Sequence, residues 1–98
     1  MEVRFEQAFL DRLETDLGYD HGFPESVVTA YRRRMQTIRA APDERVFYAL
    51  KSLHFEKLKG KRDHQHSMRL NDQWRLILVF EGKAPEKVVA LVDIEDYH

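Results

Sequence analysis

Residues 58–75 read LKGKRDHQHSMRLNDQWR, with lysines and arginines threaded through a glycine turn, a hairpin signal and a tryptophan. Such a run suits phosphate, because Lys offers a compact charge and Arg a fork of donors matched to phosphate oxygens. The last three residues, Asp96, Tyr97 and His98, add groups that can move protons. An imidazole titrates near neutrality, a carboxylate can orient it or act itself, and a phenol can stack on a base or donate its hydroxyl. RNA cleavage without a metal uses the neighbouring 2′-hydroxyl as nucleophile. The protein must then supply a base, an acid for the departing 5′-oxygen, and cations for the charge that builds on phosphate. Lys59 and Arg75 are the candidates for that charge. Lys57, Lys61, Arg62 and Arg69 are candidates for holding flanking phosphates, an affinity that weakens with salt. The two clusters together suggest RNA chemistry.

Asp63, His64 and His66 also raise a metal reading, since imidazole and carboxylate are zinc ligands. No second ligand pair stands at a usual spacing, and the surrounding cations would repel a metal. A hairpin histidine on the wet face of a sheet accounts for His66 better, so no metal or cofactor is expected.

These groups need a scaffold, and 98 residues allow one domain, 1–98, with a single core. The chain has no cysteine, which removes disulfides and thiolate metal sites. It also has no apolar run long enough for a membrane span and no export signal at its start, so a cytoplasmic location without a membrane partner is expected. The net charge of −1 conceals an uneven distribution. Residues 51–75 carry seven Lys or Arg against three acids, while residues 1–20 carry six acids against two arginines. The basic half can attract an anion. A further cluster, Arg32 to Arg34 with Arg39, reads as the solvated face of a helix, with docking of an acidic partner segment as the alternative.

Periodicity predicts the elements. Val3–Phe5 is a short strand candidate, and apolar residues at 9, 10, 13 and 17 mark one face of a helix over Ala8–Leu17, closed by Gly18. Pro24 and Glu25 open the main helix, whose stripe of Val28, Tyr31, Met35 and Ile38 runs until Pro42. Asp43 can cap a further turn or two carrying Val46, Phe47, Leu50 and Leu53. Beyond Gly60 the pattern becomes strand-like at His66–Leu70, Gln73–Phe80 and Lys87–Ile94, with the turn EGKAPE at Glu81–Glu86 between the last two. The fold expected is α+β, two or three N-terminal helices packed on a small antiparallel sheet. Trp74 opens the most apolar strand and reads as core.

The loop after Arg69 decides how the arginines work. With a two-residue loop of Asn71 and Asp72, Arg69 faces Trp74 and Arg75 points to the opposite face. With a loop one residue longer, Arg69 lies opposite Arg75 and both can clamp one phosphate. Sequence leaves both registers open.

The segments FEKLKGKR and HSMRLNDQWRLIL and the ending DIEDYH resemble, along essentially the whole chain, the HigB branch of the RelE/ParE superfamily of type II toxins. The resemblance implies a RelE-like fold and a ribosome-dependent endoribonuclease that cuts messenger RNA. It also implies a cognate HigA-like helix-turn-helix antitoxin that neutralises the toxin and engages operator DNA, which the toxin reaches only through that complex. It points to Lys59 and Arg75 and favours Asp96, Tyr97 and His98 as cleft residues. Some relatives carry a histidine where this chain has Glu56, so either Glu56 serves as the base, His54 swings into the cleft, or neither acts. Relatives tend to have glycine and tyrosine in place of His64 and His66, where a histidine can still stack on a base. Two alternatives stay open: a ParE-like poison of DNA gyrase, and a non-catalytic relative that only binds its antitoxin.

Overall fold

The computed structural model describes residues 1–83 and 86–97. Strand β1 (Glu2–Phe5) leads into helix α1 (Ala8–Thr15), the long helix α2 (Glu25–Ala40) and a short α3 (Arg45–Ala49) that continues into a 3-10 turn at Lys51–Leu53. A two-residue strand β2 (Glu56–Lys57), a 3-10 turn at Gly60–Arg62, and strands β3 (His66–Arg69), β4 (Trp74–Glu81) and β5 (Val88–Asp96) complete the chain. The sheet order is β1-β5-β4-β3-β2. The α+β expectation holds: three helices pack on a five-stranded, mostly antiparallel sheet.

Apolar spacing explains the core. Leu10 and Leu13 from α1 and Val27, Val28, Tyr31, Met35 and Ile38 from α2 are buried against Met68, Leu70, Leu76, Leu78, Val89, Leu91 and Ile94 of the β3–β5 region. The Tyr31 hydroxyl donates to the Leu10 carbonyl at 2.7 Å, so its polar end is satisfied within the core. Trp74 packs against this cluster edge-on to Phe23, as expected of a core residue.

Several expectations need correction. The sheet is mixed, because β1 runs parallel to β5, Val3 opposite Val89. The two strands are separated by nearly the whole chain, so no hairpin constrains their direction. Helix α1 stops at Thr15 instead of Leu17: Asp16 is extended and its Oδ1 accepts from the Gly18 amide at 3.0 Å, leaving Leu17 exposed. Strand β2 was not anticipated. The turn expected at Glu81–Glu86 includes Ala84 and Pro85, which lie outside the described residues. Of its described part, Gly82 has φ 78°, and an added Cβ would meet the Glu86 carbonyl at 2.9 Å, so only glycine fits.

Two of the four arginines of α2, Arg32 and Arg34, are not part of a solvated face. Arg32 donates to the carbonyls of Leu13, Asp16 and Tyr19 at 3.0–3.1 Å, closing the C-terminal end of α1. Arg39 grips Glu14 with two bonds of 2.7 and 2.8 Å. Arg34 donates to the Arg69 carbonyl at 2.9 Å, tying α2 to the end of β3. Burial first, then the neighbouring charges of Arg33 and Arg69, lower its pKa. Arg33 and Arg39 are exposed, as the solvated expectation has it, Arg39 while paired with Glu14.

A bulge in β5 aims the site. The β4–β5 register pairs Ile77 with Asp93 and Leu78 with Leu91, so Val92 is an extra residue. Its carbonyl accepts from Gln7 Nε2 at 2.7 Å. Without it, strict alternation would not let both Leu91 and Ile94 face the core. With it, Asp93, Glu95 and Tyr97 fall on the sheet face away from the helices.

Candidate active site

The β3–β4 ladder places Arg69 directly opposite Arg75. The loop is therefore the longer of the two considered, Asn71–Gln73, with the Leu70 amide bonded to the Trp74 carbonyl at 2.9 Å. Asn71 builds it: its side-chain oxygen accepts from the amides of Gln73 at 2.9 Å and Trp74 at 2.8 Å. Like charges facing each other across a ladder repel. Asp72 relieves part of this by pairing with Arg69.

Arg75 is almost fully buried and firmly held. Its Nε donates to Ser67 Oγ at 2.9 Å, and its Nη2 donates to the His54 carbonyl and, at 3.4 Å, to the Ser67 carbonyl. Ser67 is completely buried. The accepting His54 has a left-handed backbone, φ 44°, uncommon for a residue other than glycine; it turns the chain out of the Lys51–Leu53 helix. Glu56 Oε1 lies 3.8 Å from Arg75 Nη2, and Glu95 sits opposite Arg75 on β5. The Tyr97 ring, half exposed, covers the guanidinium at 5.2 Å. His54, Arg69, Asn71, Asp72, Arg75 and Tyr97 together line a hollow of about 220 Å³. One guanidinium with its orientation fixed, a second cation, and an aromatic face thus surround a space that could receive a phosphate and a base.

Among the described residues, the remaining sequence candidates do not line this hollow. Asp96 pairs with Trp74 in the ladder, which puts it on the strand face opposite Glu95, and its Oδ2 accepts from Gln73 Nε2 at 2.8 Å. The Tyr97 amide donates to the Gln73 carbonyl at 2.7 Å, so this segment is tied to the hairpin loop. His98 lies outside the described residues. Lys59 and Lys61 are exposed on the approach to and within the Gly60–Arg62 turn. Arg62 is less available than expected: it makes a two-bond pair with Glu95 at 2.7 and 3.0 Å and a bond to Gln65 at 2.8 Å. The Glu95 carboxylate raises its pKa.

His66 requires a correction. It is not on the wet face: paired with Leu78, it stacks on Phe55 at 5.0 Å and 9°, meets Phe80 edge-on, and has a buried Nδ1 without a hydrogen bond. Burial lowers its pKa, Lys57 and Lys87 adding to the effect and Glu44 opposing it. Lys57 pairs with His66 in the ladder, so it too leans from the face opposite Arg75, although exposed at the sheet edge. The exposed His64 and Asp63 do not join His66, and no three His, Asp or Glu side chains gather among the described residues. Ser67, Gln73 and Glu95 hold the site together yet were not singled out by sequence. A small hydroxyl two residues before Arg69 in β3 is the available signal for Ser67, legible only once the register is known.

Comparison with known proteins agrees with the resemblance. The family described as RelE-like toxin of type II toxin-antitoxin system HigB matches residues 3–98. Among solved structures, a YoeB/ParE toxin from Agrobacterium tumefaciens is similar in fold, with TM-score 0.66, 15% identity and 100% of each chain covered. A conserved hypothetical protein from Helicobacter pylori is similar at TM-score 0.54 and 15% identity, over 99% of this chain and 94% of that one. A comparison with curated proteins finds no match. A match across nearly the full length, on a chain folded as these neighbours are, establishes that the protein belongs to the HigB-like, RelE-like toxins of type II toxin-antitoxin systems.

Proposed function

We propose that the protein is a ribosome-dependent endoribonuclease that cleaves messenger RNA in the cytoplasm and is neutralised by a HigA-like helix-turn-helix antitoxin. The observation that carries this reading is the buried Arg75, fixed by Ser67 and the His54 carbonyl beneath the Tyr97 ring with Arg69 opposite. In the reaction, a base removes the proton of the 2′-hydroxyl, whose oxygen attacks the adjacent phosphorus. The P–O5′ bond breaks and an acid protonates the leaving oxygen, giving a 2′,3′-cyclic phosphate and a 5′-hydroxyl. Arg75 and Lys59 stabilise the added charge on phosphate, and Tyr97 offers its ring to a base or its hydroxyl to the phosphate. His98 handles one of the protons, and no metal is needed. Lys57, Lys61, Arg69 and Arg62 hold flanking phosphates, Arg62 only when it leaves Glu95.

The test is sequencing of RNA 5′ ends after brief induction of the wild type, Lys59→Ala and His98→Ala in growing bacterial cells. Cuts within translated codons that vanish in both variants are expected. Growth arrest without new ends would sink the nuclease reading and favour a gyrase poison on the same scaffold.

A further inference from the structure

Tyr97 lies over Arg75 through its ring, and the hairpin loop holds its backbone there. Gln73 holds residues 96 and 97 twice: its side-chain Nε2 donates to Asp96 Oδ2 at 2.8 Å, and its backbone carbonyl accepts the Tyr97 amide at 2.7 Å. The Asn71 side chain shapes the loop by accepting from the Gln73 and Trp74 amides. The hairpin that carries Arg69 and Arg75 therefore also grips the segment that covers Arg75. Asp96, facing away from Arg75, serves this grip and does not face the hollow.

We propose that Gln73 is a positioning residue, a latch that works through Asp96 to set Tyr97 over Arg75. This rests on the ribonuclease reading for its effect on catalysis, though the latch itself can be seen without any reaction. Gln73→Ala removes the side-chain bond and keeps the backbone one. Gln73→Glu places a second carboxylate against Asp96. When both are ionised they repel, and when one is protonated a proton can be shared and the grip returns. Acidification should thus repair Gln73→Glu and leave Gln73→Ala unrepaired.

The experiment compares wild type, Gln73→Ala and Gln73→Glu from pH 5 to 8 in two readouts: cleavage of mRNA on programmed ribosomes, and hydrogen exchange of the Tyr97 amide by NMR. Expected are a fall in kcat of roughly tenfold for both variants at pH 7.5, with KM little changed, and Tyr97 exchange faster by a similar factor. The ratio of Gln73→Glu to wild type should rise in both readouts as pH falls, while that of Gln73→Ala stays flat. Ratios that are flat for both variants, or an unchanged Tyr97 exchange rate, overturn the latch. If the wild type cuts nothing while exchange behaves as expected, the latch stands and the ribonuclease reading falls.

Discussion

The hydrogen bonds that orient Arg75 go to groups that carry no charge, with Glu56 farther off at 3.8 Å. Ser67 Oγ and two carbonyls occupy Nε and Nη2, and Arg75 lines the hollow. Ser67→Ala would leave a buried cationic donor without an acceptor, so destabilisation of about 1–3 kcal/mol is expected in urea melts, with reduced RNA cleavage. Unchanged melting would show that Arg75 is held by the carbonyls alone. His66 makes a separate prediction. Burial lowers its folded pKa below the ordinary 6.5, so the unfolded chain binds the proton more readily. Its contribution is neutral at higher pH, and stability is lost as pH falls through about 6.5. His66→Phe should therefore flatten the loss between pH 7.5 and 5.5 in paired melts, and an equal loss in both proteins would refute the assignment. At this scale, residue type alone offers the cations and the segment from Asp96 to His98 as candidates, and of these Arg69, Arg75 and Tyr97 line one hollow. It misjudged His66, since facing is set by the register, and a one-residue slip reverses it.

The elements follow from periodicity where one apolar face is long. Helix α2 runs Glu25–Ala40 as its stripe requires, and strands β3 to β5 appear near their expected bounds. What sequence left open is partnership between distant segments: the parallel β1–β5 pair, the bulge at Val92, and the contacts of α2 arginines with other backbones. Arg32 shows the physical reason, because its three acceptors are main-chain carbonyls that no residue type advertises. Arg32→Ala should uncap α1 and cost about 2 kcal/mol, whereas Arg33→Ala, one residue along the same helix, should stay within about 0.5 kcal/mol. Denaturant melts of the two variants decide this, and equal effects would mean that the cap adds nothing to a helix already held by Leu10 and Leu13.

For the whole molecule, a net charge of −1 gives no general attraction to RNA, so binding depends on where charge is left unbalanced. Away from the site, arginines are paired with acids: Arg4 with Glu81 and Glu6, Arg12 with Asp16, Arg39 with Glu14, Arg45 with Asp43. Lys57, Lys59 and Lys61 are exposed and have no such pair among the described residues. Three such cations thus lie within five residues of one another, on and just after β2, the strand whose Glu56 reaches Arg75. Single-stranded RNA with a 2′-deoxy substitution, which cannot be cleaved, should bind with a log K that falls linearly with log salt, by about 0.7 for each phosphate neutralised. Lys61→Ala should shrink that slope by roughly one phosphate's worth and weaken binding alike across RNA sequences, because a backbone contact reads no base. Arg45→Ala, a surface cation already matched by Asp43, should leave the slope as it is. Equal slopes for Lys61→Ala and wild type would remove the basic segment from the RNA path, even if cleavage itself were intact.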